Sequence, residues 1–434
     1  MQRVPAETSS LVLSSALIYF YLFIYFLFVS SLPSLSRSVR RGYKLIKVKN
    51  INPCDIVIYE KLNHIGGRVQ TYNNKGFKYS VGAGRLGKKH KYVMALIRDL
   101  NLTDEIIDIG KDNVYYVNGL YMTEKELLKY HNSSYKSINE LWKYAINKKM
   151  NIDKKKYNLH NYFSLFLPSN EVELLKISIG YIAEFYDMNS KNAMVTIKKD
   201  FDILDKSFFV LKNGIQILCD KLYEYLLLKK VKIIFNATLM DINNDNKTYI
   251  INKETYKYSK LYLTITKCDY LAMPYFNKYK NILNNVNEGK LLRIYAKYKD
   301  VWFKGMPKIL TDNKLQFIIP IDYDNGLIQI SYSDSYNTDF WNSFNDKKTI
   351  KKHITRILND MFPEKNIKEP EWISLHYWSS GDHLWKVGIN SKDIIKQIDD
   401  IFIKKDIYIL GETYSERQSW IEGALETIHK KVLI

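Results

Sequence analysis

The chain has 434 residues, 46% of them hydrophobic and 26% charged, a globular balance that excludes wholesale disorder. Its formal net charge of +19 raises nucleic acid or an acidic membrane surface as a partner. The lysines are nonetheless spread along the chain in short runs such as Lys154-Lys155-Lys156, behind the acid Asp153, and accompany an excess of Ile, Asn and Tyr that resembles an AT-rich coding bias. Runs of that length belong to solvated helix ends and loops, so nucleic-acid binding stands only as a minor alternative. The three cysteines, Cys54, Cys219 and Cys268, are too few and too scattered for a disulfide framework or a cysteine-based zinc site. A reducing compartment is the default, and no metal is implied.

Residues 11–32 read LVLSSALIYFYLFIYFLFVSSL, without a charge. As a helix this stretch would extend about 33 Å, enough to cross a bilayer. Arg3 alone is basic before it, while Arg37, Arg40, Arg41, Lys44, Lys47 and Lys49 follow. The positive-inside rule then leaves the bulk of the chain in the cytoplasm. A cleaved signal peptide fits less well, because the basic residues stand on the wrong side and no small-residue cleavage site follows. Two readings stay open: a membrane-anchoring helix, or a stretch foreign to the fold.

After Gly42 the pattern is that of a mixed α/β enzyme. Tyr43 to Lys49 reads as a helix end, and Asp55-Ile56-Val57-Ile58-Tyr59, closed by Glu60, as a buried parallel strand. Val93, Leu96, Ile97 and Leu100 recur at helical spacing. Thr123 with Glu126 and Ser137 with Glu140 match capping boxes, so residues 123–190 are expected to be mostly helical. Strands are expected again at Val231–Phe235, Leu261–Ile265 and Ile407–Leu410, with a hairpin turning at Asn243–Asn246. Sheet elements at both ends with helices between predict two interleaved domains. Residues 43–90, 205–275 and 400–434 would form a Rossmann-like dinucleotide-binding domain. Residues 91–204 and 276–399 would form a mixed-sheet and helical substrate domain, and 1–42 an apolar N-terminal helix preceding both.

Three constellations carry chemistry. The first is the strand ending in Glu60, followed by Gly66-Gly67-Arg68. A carboxylate at a strand end can hold ribose hydroxyls, paired glycines let backbone approach a pyrophosphate, and the arginine offsets its charge. Each piece alone is better read as a strand end and a tight turn. The second is Val81-Gly82-Ala83-Gly84-Arg85, with small residues able to lie against a flat ring and an arginine able to clamp a carboxylate. Taken alone, Arg85 is an ordinary loop arginine, and His90 beyond it a helix-start histidine before it is a base. The third is Ile407–Leu410 running into Gly411-Glu412, then Trp420 and a helix containing Gly423-Ala424, whose N–H groups could meet a phosphate or an electron-rich ring.

With these residues in view, the chain from 43 to 434 resembles the flavin-containing amine oxidases, the family of monoamine, polyamine and L-amino-acid oxidases. EKLNHIGGRVQTY, YSVGAGRLGKKH, LKNGIQILCDKL, LLRIYAKYKDVWF, HYWSSGDHLWKVG and IYILGETYSERQSWIEGALETI follow the family's order. The resemblance implies bound FAD, with Glu60 on the adenosine ribose and Gly66, Gly67 and Arg68 at the pyrophosphate. Gly84 and Arg85 would lie beside the flavin, Leu239 would make a backbone contact to adenine, and Gly411, Glu412 and Gly423 would belong to the segment closing the FAD domain, with Glu412 at the ribityl-phosphate end. In amino-acid oxidases an arginine at the position of Arg85 grips the substrate carboxylate. Trp420 resembles one wall of the aromatic cage that orients the amine. Trp385 is a candidate for the other, with plain core packing an equal reading. FAD would be non-covalent, since no cysteine follows Cys268, where monoamine oxidases attach theirs. Hydride would pass from the amine-bearing carbon to the flavin, the imine would hydrolyse, and oxygen would reoxidise the flavin to give peroxide.

Two departures stand out. The family's lysine near the flavin is replaced by Arg293, which keeps the charge but is not readily deprotonated. The family's opening strand and Gly-x-Gly-x-x-Gly turn have no counterpart in glycines, because Gly42 is the first of the chain. A true N-terminus lost by frameshift, wrong start or rearrangement would account for this. The alternative to an enzyme acting on a small-molecule amine or amino acid and oxygen is a non-catalytic, membrane-anchored remnant without FAD. The expected location is cytoplasmic, or membrane-anchored facing the cytoplasm through residues 11–32.

Overall fold

The computed structural model describes residues 26–30, 35–110, 113–201 and 208–433. Its first sheet is parallel throughout. From edge to edge the strands are Lys232–Ile234, Ile56–Glu60, Phe26–Ser30, Lys260–Leu263 and Ile407–Ile409. In chain order this is 3-2-1-4-5, the order of a dinucleotide-binding sheet, in which ligands bind beyond the carboxyl ends where the winding reverses, between the first and fourth strands. The continuous apolar runs read in the sequence suit strands buried on both faces. Ile56 and Ile58 on the second strand are fully buried, as are Leu261 and Leu263 on the fourth and Ile407 on the fifth.

The central strand corrects the reading of the N-terminus. Phe26–Ser30 pairs with Ile56–Glu60 on one side and with Lys260–Leu263 on the other, Phe28 facing Ile58 and Tyr262. The described end of the 11–32 stretch is thus a strand of the sheet and not part of a membrane-crossing helix. Residues 11–25 lie outside the described residues. Among the described residues no helix is long and apolar enough to cross a membrane. The physical reason is that Phe, Val and Ile in an unbroken run suit a doubly buried strand as well as a lipid-facing helix, and hydropathy does not separate the two. Helix Leu35–Lys49 then follows and packs against helix Ile217–Leu228. Strand and helix of the dinucleotide fold are therefore both present. The residues between them, 31–34, contain no glycine and lie outside the described residues.

A second sheet has seven strands in the order Trp372–Trp385, Val286–Lys297, Leu327–Asp334, Phe317–Asp322, Lys308–Thr311, Asn113–Val117 and Leu120–Met122. One face packs Leu292, Ile294 and Ile328 under Trp341 and under Ile350, Ile354 and Leu358 of helix Lys347–Met361. The region between 123 and 196 is mainly helical, opening on the capping box of Thr123 and Glu126. Its Trp142, Phe163 and Phe185 are fully buried in the largest core cluster, which also takes in Leu261 and Ile409 of the parallel sheet and Trp385. One core thereby joins the two sheets, and the cavity between them is held on both sides.

Candidate functional site

Beyond the carboxyl end of the parallel sheet lies a cavity of about 630 Å³. Six of the residues singled out from the sequence line it together: Arg68, Gly84, Arg85, Arg293, Glu412 and Trp420. They come from four separate stretches of chain. The other seven, Glu60, Gly66, Gly67, Leu239, Trp385, Gly411 and Gly423, stand outside the lining.

Arg68 is presented by a tight turn. Gly66 has φ +102° and Gly67 φ +53°, and Val69 N–H closes the turn on Gly66 O at 2.8 Å. The Arg68 Nη1 donates to Glu412 Oε1 at 2.7 Å and to Gly381 O at 2.9 Å. Its Nε and Nη2 are buried without a hydrogen-bond partner among the described residues. A guanidinium held this way, with idle donors at the wall of a cavity, calls for an anion. The same Oε1 of Glu412 is met by His383 Nδ1 at 2.7 Å, while Oε2 accepts from Ser419 N–H at 3.3 Å, and His383 is wholly buried. His383 Nε2 accepts from Lys267 N–H at 3.3 Å, so the ring proton sits on Nδ1 and is donated to Glu412.

Glu60 is fully buried at the end of its strand, where its Oε1 accepts from Leu62 N–H at 2.8 Å. Ala237 N–H donates to Glu60 O at 2.8 Å, which brings the chain leading to Leu239 against the same strand end. The residues present thus fit a dinucleotide: a carboxylate at the second strand end, unengaged guanidinium donors, and a cavity at the winding reversal. FAD, as implied by the resemblance, would be held by Arg68 and Glu412 through its pyrophosphate and ribityl regions.

Arg293 reaches in from the long strand Val286–Lys297. Its Nη1 donates to Ser80 O at 3.1 Å and its guanidinium lies 4.3 Å over the Tyr332 ring. The opposing wall is Gly84, where a Cβ would come within 2.5 Å of Arg293 Nη2. Arg85 lies 4.3 Å over Phe208 and 5.8 Å from the rings of Tyr181 and Trp420. Trp420 stacks on Phe208, with centroids 5.9 Å apart and planes 6° apart. Among the described residues no carboxylate or hydrogen-bond acceptor engages the Arg85 guanidinium, so a cation stands in an aromatic frame at the cavity wall.

Trp385 is fully buried in the core outside the cavity lining, and its Nε1 donates to Ser415 O at 2.7 Å. Trp378, in the same strand, lines the cavity and donates from Nε1 to Val81 O at 2.8 Å. Gly423 serves packing: a Cβ there would fall 1.6 Å from Arg417 O. Gly423→Ala is expected to cost about 1–3 kcal/mol, read as a lowered thermal midpoint. Gly110→Ala, where no atom of the described residues lies within 4 Å, is expected to leave the midpoint unchanged.

Sequence reasoning also missed three buried acids on the wall. Glu184 is held well above the usual carboxylate range by burial and by the neighbouring Asp382 and Asp334. Asp334 is pushed up to about 6 by burial, although Ile182 and Ala183 N–H groups donate to it. Asp382 is pushed up to about 7 by burial and by Glu412. A carboxyl whose folded pKa is raised contributes stability that is complete below its unfolded value and is lost as pH rises through the folded one. The stability advantage of Asp382→Asn over wild type is therefore expected to grow as pH rises from about 4 through about 7. Parallel denaturation curves across that range check this, and a constant difference would contradict it.

Comparison with solved structures agrees with the architecture. A proposed protoporphyrinogen oxidase from Exiguobacterium sp. 255-15 superposes with a TM-score of 0.70 at 13% identity, over 94% of this chain and 97% of that one. A double mutant of putrescine oxidase, from a redesign of that enzyme's cofactor binding, gives 0.73 at 12%, over 94% and 98%. A single mutant from the same redesign gives 0.73 at 13%, over the same shares. These likenesses show the fold. No curated protein sequence is significantly similar. The family model for flavin containing amine oxidoreductases, by contrast, matches residues 49–427, and the chain belongs to that family.

Proposed function

We propose that the protein oxidises the amine-bearing carbon of a small molecule that also carries a carboxylate, an amino acid, using non-covalent FAD. The observation that carries the reading is Arg85, a cation without an anionic partner among the described residues, set over Phe208 and beside Trp420 in the cavity wall. Bound FAD supplies a two-electron oxidant that accepts hydride from the substrate carbon.

The protein's own residues do the positioning. Arg85 takes the carboxylate with its planar fork, and the rings of Tyr181, Phe208 and Trp420 enclose the rest and exclude water. Arg293, hydrogen-bonded to Ser80 O and stacked on Tyr332, keeps a permanent positive charge and can orient a water or an oxyanion without exchanging a proton. Arg68 would hold the cofactor's pyrophosphate, with Glu412 aiming it from the ribityl end. Peroxide is the expected second product when oxygen reoxidises the enzyme. Cys54 and Cys268 are exposed and Cys219 is buried, and no cysteine follows Cys268, which supports non-covalent attachment.

The test is anaerobic reduction by matched pairs. An L-amino acid is expected to bleach the visible flavin band, while the amine lacking its carboxylate does so far more slowly. Equal bleaching by both would remove the amino-acid reading and leave amine oxidation. The glycine-free stretch between the first strand and helix supports a second reading, a non-catalytic protein without FAD, and no bleaching by any amine would favour it.

A further inference from the structure

Trp420 Nε1 has no hydrogen-bond partner among the described residues, so the indole's orientation in the cavity wall is set by what surrounds it. Behind it lies a buried polar network. His90, 1% exposed, precedes helix Lys91–Asp99 and stands edge-on to Trp420 with ring centroids 5.1 Å apart. Gly87 N–H donates to His90 Nδ1 at 3.2 Å, which places the ring proton on Nε2, 3.3 Å from Asp200 Oδ1. Asp200, fully buried, accepts from Arg417 Nε at 3.1 and 3.2 Å and from Arg417 Nη2.

Arg417 Nη1 then lies 3.6 Å from Glu422 Oε1. The Glu422 carboxylate accepts from Tyr92 N–H at 2.9 and 3.1 Å and from Val93 N–H at 2.9 Å, which returns the network to the helix that His90 begins. Phe201, next to Asp200, meets Trp420 edge-on at 5.5 Å. The loop closes around the segment carrying Trp420, with Arg417 three positions before it and Glu422 two after.

We infer that His90, Asp200 and Arg417 are positioning residues that brace Trp420, fixing the indole against which substrate is held. The inference rests on the reading that Trp420 bounds the substrate space. Fully satisfied buried networks of this kind specify one arrangement at a high cost for any missing member. None of the three is asked to touch the substrate. The brace acts on the bound ground state and the transition state alike, so its loss is read in KM with kcat largely kept.

The experiment uses the FAD-loaded full chain and the variants His90→Phe, His90→Gln and Asp200→Asn. Trp420→Phe first identifies the contribution of Trp420 to the near-ultraviolet circular dichroism. His90→Phe is expected to alter that contribution and to raise KM about tenfold with kcat within about twofold. His90→Gln, whose amide can still donate to Asp200, is expected to restore most of both. Wild-type dichroism and KM in folded His90→Phe would overturn the inference, and if that variant does not fold, Asp200→Asn is read in the same way. Collapse of all three would overturn it in favour of a role in folding alone. Should no amine be oxidised by wild type, the functional reading fails separately, and the dichroism of Trp420 still decides whether the brace orients it.

Discussion

Arg68→Met is expected to yield a folded protein that loses FAD on desalting. Two of the Arg68 contacts are internal, to Glu412 Oε1 and Gly381 O, and serve to aim the side chain. The remaining Nε and Nη2 are buried and unengaged among the described residues. Leaving charged donors idle in a low-dielectric wall is costly, and an anionic pyrophosphate removes that cost. Removing the guanidinium should therefore weaken FAD by about 3 kcal/mol or more, roughly a hundredfold, since a lost buried charge pair costs about 2–5 kcal/mol. The fold should survive, because His383 still holds Glu412. Arg68→Lys should be intermediate, its single ammonium unable to serve Glu412 and a phosphate with the same fork. Fluorescence titration with FAD measures all three proteins, and undiminished affinity in Arg68→Met would contradict the assignment.

The second large effect concerns Arg85. Arg85→Leu is expected to raise KM for amino acids roughly 30- to 100-fold while leaving KM for the matched amines nearly unchanged, the scale of about 2–3 kcal/mol for a charge-assisted bond in a dry site. The substitution keeps an apolar body against Phe208 and Trp420, so the aromatic frame has little reason to rearrange. Arg85→Lys should recover part of the loss, as a point charge without the planar fork. Steady-state peroxide formation with matched pairs gives the ratio. An unaltered ratio in Arg85→Leu would mean that the carboxylate is not read there.

What could be read from the sequence was local. The strand Ile56–Glu60 announced itself because a short apolar run ended in a carboxylate, and Thr123 with Glu126 opened a helix with a capping box that the structure contains. The first strand was hidden in an apolar stretch longer than any strand requires. No residue in that stretch marks Phe26 as a beginning, and only its pairing on both sides reveals it. The sequence points to Trp385 and not to Trp378, which lines the cavity; strand Trp372–Trp385 breaks its pairing between Trp378 and Asp382, so alternation counted from one end does not carry to the other. The brace behind Trp420 joins Asp200 to Arg417 across 217 positions. Neither residue has a local pattern to set it apart, and the contact exists only once the sheets are assembled. The acids Glu184, Asp334 and Asp382 were missed for the same reason, since burial on a shared wall is a property of the fold.

The most direct test of the whole account is the visible absorption spectrum of the purified full-length chain, taken before and after anaerobic addition of an amino acid. The account predicts a flavin spectrum that survives desalting and bleaches with substrate, with the Arg68 and Glu412 end of the site sufficient to hold FAD although residues 31–34 contain no glycine. A folded, colourless protein that takes up no added FAD would contradict it.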